Sequence, residues 1–352
     1  MELIFQIFLL VAGFVLLIKG ADFFVEGSSS VAKILKVPSI IVGLTIVSMG
    51  TSLPEMAVSI SAAIRGENAI AVSNVVGSNF FNLLVVLGAC ALIKPIAVHA
   101  SIIKREYPIN IVITGVLAIF SADLLLSGKI GQVSPLKDGE LQTGMLSRLD
   151  GIVLLAAFVL FLVMSVISAL RARKEWEDDV DEKPMTILQS LLCIVGGIAA
   201  IAVGGDVVVQ SAQYIAAVCG MSDTLIGLTI VAMGTSLPEL VTSLVASKKG
   251  ENDLAVGNVI GSNLFNILFV LGISSTITPI AVTLFSVIDM VLLFAVTIIT
   301  YLFVLSKKSF SRREGLIMLV TYAAYMGYII MRWLFFFIRK IDVDRHGIDG
   351  VF

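Results

Sequence analysis

GLTIVSMGTSLPE, running from Gly43 to Glu55, returns as GLTIVAMGTSLPE from Gly227 to Glu239, with twelve of thirteen positions kept at an offset of 184 residues. Self-similarity at a fixed offset marks an internal duplication. Each copy starts apolar and then carries Gly-Thr-Ser, a proline and a glutamate. A helix in hydrocarbon would shed such residues if packing were its only task, because an ionisable group there costs about 3 kcal/mol or more. Glu55 and Glu239 are therefore the first candidates for function.

The remainder of the chain sets both copies in a membrane. With 352 residues, 58% hydrophobic and only 14% charged, its surface could not be covered by polar groups in water. Taking about 20 apolar residues per helical crossing, ten spans are read at 4–26, 37–63, 69–93, 107–127, 149–171, 187–217, 221–247, 253–277, 280–305 and 313–337. No strand is expected. The first span follows Met1 and Glu2 rather than basic residues and aligns with the internal sixth span, so it reads as a retained crossing and not a signal peptide. The chain then divides into a first half, 1–171, a linker, 172–186, a second half, 187–337, and a tail, 338–352.

The repeat extends well past the opening string. GAD at Gly20–Asp22 meets GGD at Gly204–Asp206, GEN at Gly66–Asn68 meets GEN at Gly250–Asn252, and VSNVVGSNFFN from Val72 meets VGNVIGSNLFN from Val256. Five spans in each half is an odd number, so the second half enters the membrane upside down. The fold class is thus an all-α polytopic protein of two inverted five-helix repeats, an architecture that places ion sites near the midplane between halves. Alternate loops hold Lys33 and Lys36; Lys94, Lys104 and Arg105; Arg171, Arg173, Lys174 and Lys183; Lys248 and Lys249; and Lys307, Lys308, Arg312 and Arg313. By the positive-inside rule these loops are cytoplasmic and both termini face outward, with Arg332, Arg339, Lys340 and Arg345 running against that assignment.

Other composition signals exclude more than they suggest. A net formal charge of -2 and the lack of a basic patch give no footing to nucleic acid. Cys90, Cys193 and Cys219 have no paired spacing, and His99 and His346 stand apart near span ends, which suits neither a disulfide framework nor a zinc cage. The stretch KEWEDDVDEK, Lys174–Lys183, lacks the glycine turn of a calcium-binding loop and reads as a solvated linker.

Chemistry is concentrated around the two prolines. Pro54 and Pro238 have no N–H and clash with the carbonyl four residues earlier, so each span must kink or break, releasing carbonyls at Ser48–Thr51 and Ala232–Thr235. In hydrocarbon those carbonyls need a partner. Glu55 lies four residues past Thr51 and shares its side. Two copies facing each other would supply two carboxylates with hydroxyl and carbonyl oxygens, a hard-ligand set suited to Ca2+ or Na+. A kinked helix whose glutamate bonds a polar neighbour would look the same locally, but both copies would have to need the same costly repair. In the second motif Asn74, Ser78 and Asn82 share a helix face, as do Asn258, Ser262 and Asn266. Gly77 and Gly261 fit close helix packing, whereas Ser78, Asn82, Ser262 and Asn266 offer neutral oxygens deep in apolar spans. Asp22 and Asp206 read either as interfacial carboxylates, Asp22 beside Lys19, or as guides for cations; Asp123 and Asp289 occur once each and read as packing or interface residues.

The paired GTSLPE segments, each followed by a GSNxxN segment, resemble the two alpha-repeats of the sodium/calcium exchanger family, in its compact prokaryotic form. The resemblance spans both halves and implies a Ca2+ site made by Glu55 and Glu239 with the backbone carbonyls of Thr51 and Thr235. It also implies Na+ sites shared with the carbonyls of Ser48 and Ala232, with Ser52, Ser236, Ser78 and Ser262, and with the side chains of Asn82 and Asn266. The first and sixth spans would resemble that family's long, loosely packed sliding pair. Where several relatives have aspartate this chain has Asn266, leaving two carboxylates in the site. The expected function is an electrogenic, K+-independent antiport of Na+ against Ca2+ in the cell membrane (plasma or inner), with lipid as its surroundings. No cofactor, enzymatic activity or obligate protein partner is expected. Ca2+/H+ exchange is the nearest alternative, and an intramembrane hydrolase or a channel are more distant ones.

Overall fold

The computed structural model describes residues 2–66, 68–127, 142–174, 184–219 and 232–346, with side chains of the last helix described as far as Arg332. Helix α1 (Glu2–Leu35) is followed by α2 (Ser39–Thr51), α3 (Leu53–Arg65), α4 (Ile70–Ile93), α5 (Tyr107–Phe120) and α6 (Arg148–Lys174). The chain continues through α7 (Ile187–Val218), α8 (Leu237–Lys248), α9 (Asn252–Ile277), α10 (Leu284–Lys307) and α11 (Arg312–His346). Among the described residues seven of these helices are long and apolar enough to cross a membrane, and α2 with α3 make an eighth when counted as one broken span.

The second span breaks where the proline requires it. Pro54 is the second residue of α3, Ser52 leaves helical geometry at φ -86° and ψ 12°, and the two pieces are bent by 50°. Ser236 does the same at φ -93° and ψ 6°, ahead of Pro238 in α8. The beginning of the expected span 221–247 lies outside the described residues. So does the core of the linker, of which Thr186 closes the end by capping α7 reciprocally with Gln189.

Several boundaries differ from the sequence reading. The expected span at 107–127 ends at Phe120, where Ser121 and Ala122 turn the chain into a single helical turn, Asp123–Leu126. The final helix runs on to His346, into the segment read as a tail. Among the described residues four π-helical turns interrupt the helices, at Gly43–Val47, Phe81–Val86, Ile102–Glu106 and Asn266–Leu271. The expectation of no strands is overturned by two small antiparallel ladders. Strand β1 (Ile96–Ala97) pairs with β4 (Ser309–Phe310), and β2 (Gln142–Leu146) pairs with β3 (Ile280–Thr283). These ladders form because chain leaving a helix near another such end can satisfy its backbone groups only across the gap. Residues 280–283, read as the start of a helical span, are thereby extended. Asp123 supports the second ladder by accepting from the Met145 amide at 2.9 Å.

Helix α9 is almost wholly buried and α4 largely so, and both stand at the centre of the bundle. Close approach of α9 to α2 depends on glycine: a Cβ at Gly43 would meet the Leu254 carbonyl at 2.8 Å, and one at Gly261 would meet the Leu44 carbonyl at 2.6 Å. Outer helices carry bare apolar side chains such as Ile4, Phe8, Leu160 and Leu188, the surface expected of lipid contact.

Helices α1 and α7 pack antiparallel along a seam of glycines. A Cβ at Gly20 would lie 3.0 Å from the Gly197 carbonyl, one at Gly204 would lie 2.9 Å from the Gly13 carbonyl, and one at Gly27 would lie 2.7 Å from the Ser190 carbonyl. The two helices expected to form a sliding pair are therefore closely packed against each other. On one face α1 is tied to the turn before α9: Lys249 Nζ reaches Glu26 at 2.7 Å and Asp22 at 3.3 Å, and Ser29 donates to Glu251 at 2.5 Å. Asp22 also lies 3.7 Å from Lys19, while Asp206 accepts from Gln210 within its own helix at 2.7 Å. Asp289 is paired in a two-pronged contact with Arg332, both distances 3.0 Å.

The seam separates two glycines of α7 by consequence. Gly204→Ala places its methyl 2.7 Å from the Leu17 amide nitrogen, whereas Gly196→Ala meets nothing within 4 Å. Thermal unfolding in detergent is expected to show Gly204→Ala destabilised by about 1–3 kcal/mol from overpacking. Gly196→Ala is expected to be neutral or up to about 1 kcal/mol more stable from helix propensity. Equal effects of the two would refute the seam.

Candidate functional site

Each glutamate is held by the serine of the other copy. Ser236 Oγ donates to Glu55 Oε1 at 2.8 Å, and Ser52 Oγ donates to Glu239 Oε1 at 2.7 Å. Both residue pairs are related by the repeat offset, so this is one contact made twice, the reciprocity that a twofold-related interface requires. Ser78 adds a longer bond to Glu55 Oε1 at 3.4 Å and stands 3.0 Å from the Ser236 hydroxyl. Glu55 and Glu239 are both completely buried.

The local sequence explains this exchange. Ser52-Leu53-Pro54-Glu55 has the Ser-x-x-Glu spacing of a helix capping box, in which serine and glutamate would bond the backbone of their own helix start. Ser52 is indeed the residue preceding α3, yet it makes no cap bond, and Ser236 makes none for α8. Proline at the second helical position removes one amide that a cap would serve. The serine hydroxyl is thus available to cross between copies.

Asparagines of the second motif build the next layer. Asn74 Nδ2 donates to the Glu55 carbonyl at 3.1 Å and to Ser59 Oγ at 2.9 Å, while its counterpart Asn258 donates to Ser243 Oγ at 3.0 Å. The amide oxygen of Asn258 receives the Thr51 hydroxyl at 3.0 Å, with the Val47 carbonyl at 3.1 Å from the same hydroxyl. Across the interface Asn82 Nδ2 donates to Asn263 Oδ1 and Asn266 Nδ2 to Asn79 Oδ1, both at 3.2 Å. Asn79 Nδ2 donates in turn to the backbone carbonyl of Asn263 at 3.3 Å. Asn82 lies within one π-helical turn and Asn266 opens another. Such turns recur at functional sites.

What these bonds leave over is informative. Glu55 Oε2, Glu239 Oε2, Asn82 Oδ1, Asn266 Oδ1 and Thr235 Oγ1 are buried and have no hydrogen-bond partner. With the glutamates ionised, four of the five atoms can only accept, and buried acceptors without donors are rare in folded proteins. All five come from residues singled out in the sequence; outside the two motifs, Glu106 Oε2 and both amide atoms of Asn110 are among the other buried atoms without a partner. Ser48 and Ser262 join the same layer, with Ser262 Oγ 3.4 Å from the Ser48 carbonyl, although the Ser48 hydroxyl itself turns back to the Leu44 carbonyl at 2.9 Å. Ala232 opens the short helical piece Ala232–Gly234 that precedes Ser236. Asp22, Asp206, Asp123 and Asp289 are bonded elsewhere and are not part of this cluster.

Among the described residues no group of three or more His, Cys, Asp or Glu is placed to hold a metal. Any cation here would be held by two carboxylates and neutral oxygens, a donor set for a hard ion. The supporting residues Asn74, Asn258, Asn79 and Asn263 stand in the second motif without a spacing that marks them as partners; the 184-residue offset, applied to every buried polar position, does mark them.

Comparison with known proteins agrees with the duplication. The family described as sodium/calcium exchanger protein matches twice, at residues 5–167 and 189–331, and the two matches begin one repeat offset apart. A candidate antiporter, CaxA of Alkalimonas amylolytica, is 44% identical over 79% of this chain and 82% of its own length. The sodium/calcium exchanger MaX1 of Methanosarcina acetivorans is 32% identical over 90% of this chain and 96% of its own. A solved structure of the sodium-calcium exchanger NCX_Mj, soaked with Na+ and Sr2+, superposes with a TM-score of 0.75 and 30% identity over 92% of this chain and 99% of that one. Matching over both halves, with the reciprocal glutamate–serine contacts at its centre, the chain belongs to the sodium/calcium exchanger protein family.

Proposed function

We propose that this protein is a secondary antiporter that exchanges Na+ for Ca2+ by alternating access, with the cations bound at the interface of its two copies. The observation that carries this reading is the set of buried oxygens without donors: Glu55 Oε2, Glu239 Oε2, Asn82 Oδ1 and Asn266 Oδ1. Two negative charges inside a bundle are too costly to enclose alone, whereas one Ca2+ or several Na+ neutralise them. Only the loaded site can then be closed from both sides, and occupancy by either ion permits the change of orientation. The carbonyls of Thr51, Thr235, Ser48 and Ala232, and the side chains of Ser52, Ser236, Ser78 and Ser262, complete the proposed ligand set.

In this reading the two crossings beyond the eight long ones are α5 with its preceding π turn and the span expected at 221–247, of which α8 is described. The ten crossings form two inverted halves joined by a cytoplasmic linker. The face bearing Lys33, Lys94, Lys249 and Lys308 is cytoplasmic, and both termini are extracytoplasmic. Na+ is favoured over H+ as the driving ion because protons would need only the two carboxylates, leaving the serine and asparagine oxygens without purpose. Three Na+ against two carboxylates leave about one net positive charge where Ca2+ leaves none, so exchange is electrogenic. Asn266 supplies no third carboxylate to balance K+ as well.

In proteoliposomes, an outward Na+ gradient is expected to drive uptake of 45Ca, while H+ or K+ gradients imposed alone do not. Uptake driven by H+ without Na+ would make the protein a Ca2+/H+ exchanger. At clamped voltage the rate is expected to follow membrane potential, and 86Rb is expected not to move with Ca2+; coupled rubidium flux would defeat K+ independence.

Glu55→Gln and Glu239→Gln are each expected to abolish exchange and the stabilisation of purified protein by Ca2+. In chelator, both variants are expected to unfold at a higher temperature than the parent, since each removes a buried charge that has no countercharge. A parent and variants that respond equally to Ca2+ would place the ion elsewhere.

A further inference from the structure

Asn79 lies just off the helix face formed by Asn74, Ser78 and Asn82, and the proposed ligand set does not include it. Its amide is nonetheless fixed by a contact that admits one arrangement. The backbone carbonyl of Asn263, 3.3 Å from Asn79 Nδ2, can accept a hydrogen bond but never give one. The nitrogen of Asn79 must therefore face that carbonyl, and its oxygen must face Asn266. An amide oxygen is likewise only an acceptor, so Asn266 must present its nitrogen, 3.2 Å away. That choice leaves Asn266 Oδ1 pointing away from Asn79, buried and without a partner. Amide orientations are often open to a flip because nitrogen and oxygen are alike in shape. Here a carbonyl of the main chain removes that freedom through two successive bonds.

We propose that Asn79 is a positioning residue for cation binding: anchored on the Asn263 carbonyl, it forces Asn266 to direct its amide oxygen, and not its amide nitrogen, toward the ion. An amide nitrogen in that place would turn a ligand into a repulsive donor. Asn82 makes the matching contact with Asn263 Oδ1, but no anchor equivalent to the Asn263 carbonyl is seen on that side. The two halves of the site are thus unequal in how firmly their amides are held, and the firmer one is set by Asn79. This inference rests on the reading that the site holds Na+ and Ca2+, and it identifies a residue that acts through a ligand without touching the ion.

A double-mutant cycle tests it, using purified full-length protein and Na+-dependent thermal stabilisation as the readout, with 45Ca exchange measured alongside. Asn79→Ala frees Asn266 and is expected to raise the Na+ concentration for half-maximal stabilisation about tenfold, with the maximal exchange rate at saturating Na+ near parental. Asn266→Ala is expected to raise it as much or more, and the double variant no further than Asn266→Ala alone. Asn79→Asp keeps an acceptor facing Asn266 and is expected to bind Na+ no more weakly than the parent. Additive effects, or a lowered maximal rate with unchanged half-saturation, would overturn the proposal. If Asn79→Ala does not fold, Asn79→Leu fills a similar volume without an acceptor and completes the same cycle. Failure of the underlying reading is seen separately: a parent that Na+ and Ca2+ do not stabilise lacks the site altogether. A parent that binds Na+ but does not exchange it for Ca2+ loses antiport while the cycle still decides the role of Asn79.

Discussion

Two completely buried carboxylates, each bonded by a serine from the opposite copy, impose the constraint that the other features serve. An ionised group inside a bundle is tolerated only when countercharge and hydrogen bonds surround it. The serines supply one hydrogen bond to each glutamate and leave the second oxygen free. Because the donors are exchanged between copies, neither copy can form its half of the site alone. Duplication is thus a requirement of the chemistry, since the Ser-x-x-Glu string that would cap its own helix in a soluble protein here completes its neighbour.

The exchange depends on geometry fixed some distance away. Prolines at the second position of α3 and α8 break each span at a serine, turning the hydroxyl toward the interface. Glycines at 43, 257 and 261 let α2 approach α9 closely enough for Thr51 to reach Asn258 and for Ser262 to near the Ser48 carbonyl. Around this centre the asparagines form a layer in which nitrogens are used and certain oxygens are spared. A cluster of hydroxyls, carbonyls and amides is thereby sorted into atoms that hold the structure and atoms left for a ligand.

Much of this was legible in the chain. The offset of 184 residues gave the duplication, the prolines gave the break after Thr51, and the cost of charge in hydrocarbon singled out Glu55 and Glu239. Other features were not, for identifiable reasons. The π turns that carry Asn82 and Asn266 are a choice among backbone hydrogen bonds that side-chain spacing does not encode. The paired strands join segments far apart in sequence, such as Ile96 with Phe310, so neither shows a local signal beyond a few apolar residues. Asn79 escaped because it falls about 100° around the helix from Ser78, off the face that periodicity selects. The shortness of α5 followed from the turn at Ser121 and Ala122, residues without the glycine or proline that usually marks a stop.

The seam between α1 and α7 has a consequence for how force passes through the molecule. Gly13, Gly20 and Gly27 recur every seven residues, and a Cβ at each would meet a main-chain carbonyl of the facing helix within 3.1 Å, with side-chain atoms as close beside it. Such a seam is toothed. The seam repeats at about 10 Å of rise, and a smaller step would drive methyl-bearing residues into the closely packed facing helix. Packing this close opposes shear of the pair along its own length. Lys249, through Asp22 and Glu26, ties this pair to the turn before α9, so the part of the protein that holds none of the candidate ligands is joined directly to the helix that carries Ser262 and Asn266.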